Sequence, residues 1–290
     1  MNCLSVAVLG AFLCLIGSSN ALAALSVRTQ AGDSLLPTAR LLADRAYGVQ
    51  KDQRLDVYIP EGAQQAPIVV MVHGGAWRIG DKRGKKVVEN KGKHTLENGM
   101  IFVSVNYRML PEVDPYGQAR DVAEALAYVQ AQAASWGGDP AKVVLMGHSA
   151  GAHLVALLSV DPHNKDWGGI KPWRGTVVLD SGALDVPEIM NRSHWTFYDR
   201  AFGKDPVFWE KTSPFHHLSG AAVPMLLVCS TKRPDKPCDQ ARAFAQQAEI
   251  MGVKVGVLPE ALPHDEVNET LGLEGDYTKA VDSFVLSAVK

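Results

Sequence analysis

Gly147-His148-Ser149-Ala150-Gly151 places a serine among small residues in the pattern G-x-S-x-G. Ala141 to Met146 before it reads as a short buried strand, and Ala150 to Ser159 after it reads as a helix. A serine at such a strand-to-helix turn sits on a strained backbone with its hydroxyl lifted above the sheet, where it can serve as a nucleophile. Gly147 and Gly151 let neighbouring chain pass close to the turn. Near neutral pH that hydroxyl needs a base to remove its proton, and the base needs an acid to hold its tautomer.

The chain has nine histidines. His264, in Leu262-Pro263-His264-Asp265-Glu266, follows the last expected strand, where a loop can overhang the carboxyl edge of a sheet, and it is the candidate base. His148, His153, His216 and His217 read as packing or hydrogen-bonding residues. The candidate acid is Asp235, in the loop after the preceding strand; Asp180 and Asp185, after an earlier strand, are the other choices. Asp239 reads as a cap for the helix through Ala241 and Phe244. His73-Gly74-Gly75-Ala76-Trp77 directly follows an apolar strand. Its backbone amides can point inwards beside that of Ala150 and hold the negative oxygen of a tetrahedral intermediate. His73 itself reads as a loop-bracing residue.

The elements that must position these groups alternate. Strands are expected over 55–59, 68–72, 101–105, 143–146, 176–179, 225–228 and 253–257. Helices are expected over 119–134, 150–159, 241–250 and 277–289, with Val122, Leu126 and Val129 on one stripe. Short apolar strands separated by helices predict an α/β fold with a mostly parallel sheet covered on both faces. Residues 24–50 form a lead-in segment. Residues 186–218 hold Trp195, Phe197, Tyr198, Phe202, Phe208, Trp209 and Phe215 without a clean period, and read as a small aromatic-rich cap or pocket wall.

Val6 to Ile16 is an uncharged apolar run that leads to Ala21-Leu22-Ala23, the h-region and cleavage site of a signal peptide over 1–23. The run is short for a bilayer span, so no stable membrane insertion is expected. The expectation is an exported protein, periplasmic or secreted, whose domain is 24–290. Cys3 and Cys14 leave with the signal. Cys229 and Cys238, nine residues apart, then suit one local disulfide in an oxidising compartment. Closing so short a loop stabilises by about 2.5 to 3 kcal/mol on the entropy model, before strain. Two cysteines cannot satisfy structural zinc. With 47% hydrophobic and 21% charged residues the chain can bury a large core, and a formal net charge of −2 gives no reason to expect nucleic acid. One stretch is basic: Lys82, Arg83, Lys85, Lys86, Lys91 and Lys93 against Asp81 and Glu89. It reads as a solvated helix face, or as a lure for anionic substrates or polymers. It is no Walker A loop, because the spacing fails. No feature fixes an oligomeric state.

With these pieces in place, the chain resembles the α/β-hydrolase family, in its carboxylesterase-like branch with an HGG-x-W loop, which includes lipase-like esterases and kynurenine formamidases. His73-Gly74-Gly75-Ala76-Trp77, Asn106-Tyr107-Arg108 with Pro111-Glu112, Gly147-His148-Ser149-Ala150-Gly151, and the late Asp235 and His264 carry the resemblance, which runs from Leu55 to the end. It implies a triad of Ser149, Asp235 and His264, an oxyanion hole from the amides of Gly75, Ala76 and Ala150, and a structural role for Asn106-Tyr107-Arg108. Two departures stand out: Lys232 and Arg233 occupy the place nearer the strand where relatives have the acid, and Ala76 replaces a third glycine. The implied activity is hydrolysis of small or short-acyl esters through an acyl-enzyme, with no metal or organic cofactor. The substrate would be a small-molecule ester or an acylated polymer. An aryl formamidase shares every catalytic residue, although kynurenine breakdown is cytoplasmic. An exported polysaccharide or polyester esterase fits the signal, and a binding protein on a hydrolase scaffold would require a broken triad.

Overall fold

Apolar runs without polar interruption occupy the middle of the sheet, as strands covered on both faces must. The computed structural model describes Met1, Leu36 and residues 39–290. The expected signal segment therefore lies, beyond Met1, outside the described residues. The strands are β1 (Arg40–Ala46), β2 (Arg54–Ile59), β3 (Ala66–Val72), β4 (Ile101–Val105), β5 (Gly138–His148), β6 (Gly175–Leu179), β7 (Met225–Ser230) and β8 (Val255–Glu260). They form one eight-stranded sheet in the order β1-β2-β4-β3-β5-β6-β7-β8. Only β2 pairs antiparallel, with β1 and β4; every later pairing is parallel. The parallel strands thus send their carboxyl ends to one edge, the edge at which α/β sheets build sites.

The helices are α1 (Lys85–Glu97), α2 (Pro115–Gln132), α3 (Ala150–Val160), α4 (Val186–Met190), α5 (Thr196–Phe202), α6 (Pro206–Lys211), α7 (Pro214–His217), α8 (Pro237–Ile250), α9 (His264–Glu269) and α10 (Asp276–Val289). Alternate residues of β3 feed two cores. Ile68, Val70 and Val72 pack with α2, α3 and α8, whereas Val69 and Met71 pack with α1 and α10. The stripe of Val122, Leu126 and Val129 is fully buried in the first core. Among the described residues, no helix is long and apolar enough to cross a membrane.

The structure departs from expectation at several places. β1 lies in the lead-in segment, where mixed burial hid it. β8 starts two residues later than expected and β5 is longer at both ends. Lys236, not Asp239, is the N-cap of α8; Asp239 falls inside the first turn and pairs with Arg242. The basic stretch is not simply a solvated face. Lys82 and Arg83 pair with Asp44 and Asp56, and the buried Lys91 donates to the carbonyls of Lys86 and Asn268. Those cations are engaged within the fold.

Candidate active site

β5 ends at His148, and the chain turns into α3 at Ala150. Ser149 between them takes φ 56°, ψ −117°, a strained conformation that lifts its side chain clear of the sheet. Its amide donates to the Leu179 carbonyl at 2.9 Å, and its carbonyl accepts from the amide of His153. Gly151 is required here, because a Cβ would overlap the carbonyl oxygen of Val72.

His264 opens α9 just after β8. Its Nε2 lies 2.9 Å from Ser149 Oγ, as the residue order predicts. Its Nδ1 lies 2.6 Å from Oδ2 of Asp180, not from Asp235. Asp180 follows β6 directly, and β6 is the neighbour of the strand that leads into the serine, β5. Its Oδ1 accepts from the Ser230 amide at 2.7 Å, and Oδ2 also accepts from Arg233 Nη1 at 3.0 Å. Burial pushes the Asp180 carboxyl up. The hydrogen bond with His264, the Arg233 charge and the Ser230 amide outweigh burial and hold it below the usual carboxylate range.

Asp235 stands in the loop after β7 as expected, but it is not the carboxylate that bonds His264. Its carboxylate is clamped by Arg233, from Nε at 2.9 Å and from Nη2 at 2.5 Å. The loop after β7 sends a guanidinium to the site, and Asp235 sits behind it. Arg233 Nη1 also lies 3.2 Å from His264 Nδ1. A guanidinium has no acceptor, and the imidazole N–H is directed at Asp180, so these are two donors converging on one oxygen. Asp185, the remaining choice, is the N-cap of α4 and accepts from the Glu188 amide. Arg233 alone does not point to Asp180, since Asp235 two residues on also pairs with it; strand order sets Asp180 beside His264.

The disulfide is present. Cys229 and Cys238 are bonded with Sγ–Sγ 2.10 Å and Cα–Cα 5.2 Å, joining the end of β7 to the start of α8. It brackets the loop that carries Arg233 and Asp235, so what it holds in place is the arginine clamp.

His148 packs against His264 with ring centroids 4.5 Å apart and planes tilted by 35°, and it donates from Nε2 to the His264 carbonyl at 3.1 Å. Burial, helped by His264, pushes the His148 imidazole down to about 3, so it stays neutral. In the loop after β3, Gly75, Ala76 and Trp77 take φ 119°, 50° and 59°. The Gly75 carbonyl accepts from the amides of Arg78 and Ile79, and a Cβ on Gly75 would overlap the Ile79 carbonyl oxygen. Among the described residues, no protein acceptor takes the amides of Gly75 or Ala76. Ala150, as the first residue of α3, has no partner for its amide within the helix. His73 braces the loop: it is buried, stacks on Tyr107 at 4.6 Å, and its carbonyl accepts from the Tyr107 hydroxyl. Arg108 grips Asp121 of α2, the structural part expected of Asn106-Tyr107-Arg108.

Ser149, His264, Gly75, Ala76 and Ala150 all line one cavity of about 750 Å³. Trp195, Phe197 and Tyr198, at and within the start of α5, form its aromatic wall, with Ile79 and Arg233 also lining it. The rest of the aromatic segment is core: Phe202 is buried, and Phe208, Trp209 and Phe215 pack against the first cluster.

The sheet order, the strained serine after β5 and the histidine after β8 define an α/β-hydrolase of the esterase- and lipase-like class. Within that class the chain belongs to the BD-FAE family, whose model matches residues 55–248. It is similar to the isoprenylcysteine alpha-carbonyl methylesterase ICME of Arabidopsis thaliana, at 28% identity over 72% of this chain and 52% of that protein. It is also similar to esterase LipQ of Mycobacterium tuberculosis, at 30% identity over 68% of this chain and 50% of that protein. The chain thus spans about half the length of these curated relatives. Among solved structures, a truncated carbohydrate esterase from gut microbiota shares the fold with a TM-score of 0.74 at 20% identity, covering 86% of this chain and 96% of that one. Apo Thermogutta terrifontis esterase 2 does so with a TM-score of 0.70 at 21% identity, covering 87% and 95%.

Proposed function

We propose that the protein is a serine carboxylic-ester hydrolase that works through an acyl-enzyme on Ser149. The observation that carries this reading is the relay from Ser149 Oγ through His264 to Asp180, with contacts of 2.9 and 2.6 Å. In the resting state His264 is neutral, donates from Nδ1 to Asp180 and accepts the Ser149 proton at Nε2. As Oγ bonds to the ester carbonyl carbon, that proton moves to Nε2, and the carbonyl electron pair moves onto oxygen. The amides of Gly75, Ala76 and Ala150 hold this oxyanion; a single such donor is worth roughly 3 kcal/mol in the transition state. Collapse breaks the bond to the alcohol, which leaves with the proton from Nε2. Water then attacks the acyl-enzyme by the same steps, returning the acid and Ser149.

The aromatic wall favours an apolar group on one side of the scissile bond, and the cavity has room for more than an acetyl group. The similarity to a methylesterase and an esterase supports ester chemistry without fixing the substrate. The apolar N-terminal run and the disulfide both fit work in an exported, oxidising setting.

The test is hydrolysis of p-nitrophenyl esters from acetate to decanoate by the protein and its Ser149→Ala form. Turnover by the first, with a loss of at least about a thousandfold in the second, is expected. No turnover of any ester by folded protein, or full activity in Ser149→Ala, would remove the reading. Faster turnover of an N-formyl aryl amine than of every ester would move it to the formamidase.

A further inference from the structure

His153 lies on α3 one turn beyond Ser149, and its amide donates to the serine carbonyl at 3.1 Å. It is fully buried and touches two other parts of the site. Its Nδ1 lies 3.2 Å from Nε1 of Trp77, and its Nε2 lies 2.7 Å from the carbonyl of Thr212. An indole nitrogen can only donate, so Nδ1 must be the acceptor and Nε2 must carry the proton given to Thr212. Burial pushes the imidazole down to about 4, and it therefore remains neutral, as a ring that accepts on one side and donates on the other must.

Trp77 closes the loop that carries Gly75 and Ala76. Its own backbone and that of Ala76 have positive φ, which such residues adopt only when their surroundings hold them there. The Trp77 carbonyl accepts from the Leu110 amide and from Gln118 Nε2, and its ring packs edge-on to Phe202 at 4.9 Å. Those contacts hold the loop against α2 and α5. His153 alone, among the side chains bonded to Trp77, belongs to the helix that starts at the serine.

We infer that His153 is a positioning residue that sets the oxyanion amides of Gly75 and Ala76 against Ser149, through its acceptor bond from Trp77. This rests on the serine-hydrolase reading above. The bond to Thr212, at the end of α6, fixes the tautomer that makes Nδ1 an acceptor. A shift of the loop relative to α3 leaves the aromatic wall of Trp195, Phe197 and Tyr198 in place but misaligns donors that act only when the oxyanion forms. The effect belongs in kcat, with KM unchanged.

Three variants separate the two sides of the ring. Asparagine offers an oxygen near the place of Nδ1 and keeps the Trp77 acceptor, glutamine reaches the place of Nε2 instead, and leucine keeps neither. His153→Asn is expected to retain kcat to within about threefold. His153→Gln and His153→Leu are expected to lose about tenfold or more in kcat and a similar factor in affinity for a trifluoromethyl ketone, whose adduct bears the oxyanion, with KM within about twofold. Trp77→Phe, which removes the donor and keeps a ring, should show the same loss. Combined with His153→Leu it should add little to either. Thermal unfolding of each variant identifies any that fail to fold, and Trp77→Phe then carries the test. Equal losses in the asparagine and glutamine forms, a loss in KM, unchanged kcat throughout, or additive losses in the double variant would overturn the inference. The Ser149→Ala control keeps the two readings apart, since an inactive Ser149→Ala form beside unaffected His153 variants defeats this inference alone.

Discussion

Asp180 Oδ2 lies 2.6 Å from Nδ1 of His264, although the two residues stand 84 positions apart and on loops after different strands. The loop after β7 meets the same oxygen with Arg233 and keeps its own carboxylate, Asp235, on the far side of the guanidinium. Asp180→Asn should therefore lower kcat on a p-nitrophenyl ester by about 10³ to 10⁴, as loss of the tautomer-holding acid does in serine hydrolases. Asp235→Asn should lower it by about tenfold or less, because it acts only through Arg233. Steady-state kinetics at pH 7.5 on the two variants checks the ranking, and the reverse order would return the role to Asp235.

Much of this was legible in the sequence. The strands of the sheet centre were continuous apolar runs, and G-x-S-x-G fixed the turn between β5 and α3. The histidine was marked by its place after the last strand. Asp180 was harder to find, because an aspartate after a strand looks the same whether it caps a turn or holds an imidazole. Lateral strand order decides which, and β6 adjoins β5 only in the folded sheet. β1 escaped because an edge strand with one mixed face has no apolar run. The inward turn of Lys82 and Lys91 escaped because their partners, Asp56 and the carbonyls around α9, are remote in sequence or part of the backbone.

The disulfide closes the loop from Cys229 to Cys238, both nearly fully buried. Cys229→Ala/Cys238→Ala should lose about 2.5 to 3 kcal/mol of unfolding free energy on the chain-entropy account. Guanidinium denaturation at pH 7 reads this as a lower midpoint. Since the loop carries Arg233, kcat should fall in the folded double variant as well. Unchanged kcat would mean that Arg233 is held by its two carboxylates alone.

His148 and His153 are buried neutral, with pKa values pushed down by burial to about 3 and about 4. In the unfolded chain each titrates near 6.5. Between those limits the unfolded state binds more protons than the native one, so stability falls as pH falls. The slope is up to about 1.4 kcal/mol per pH unit for each histidine. Asp180 acts in the same direction at lower pH. Its depressed carboxyl contributes stability that is present above the unfolded value near 3.9 and is lost as pH falls through the folded one. Urea denaturation at pH 7, 6, 5 and 4.5 should show the decline starting below about 6.5, and His153→Asn should flatten it by about one histidine's share. A flat profile down to pH 4.5 would contradict the buried neutral state of both rings.

Among the described residues, Arg233 is the one lysine or arginine paired with the carboxylate of either Asp180 or Asp235, and its side chain is only 8% exposed. Burial disfavours its charge, and the two carboxylates more than restore it. Removing one member of so enclosed a group leaves charges without their partner, which typically costs 3 to 5 kcal/mol; roughly 3 is expected for Arg233→Met because Asp235 is partly exposed. His264 and the Ser230 amide still hold Asp180 in that variant, so the remaining uncompensated charge is mainly on Asp235. Adding Asp235→Asn to Arg233→Met should therefore recover a substantial part of the loss, whereas Asp235→Asn alone should destabilise. Equilibrium denaturation of the two single variants and the double closes the cycle. Strictly additive losses would mean that the guanidinium supports the loop by packing and that its pairing with Asp235 contributes nothing of its own.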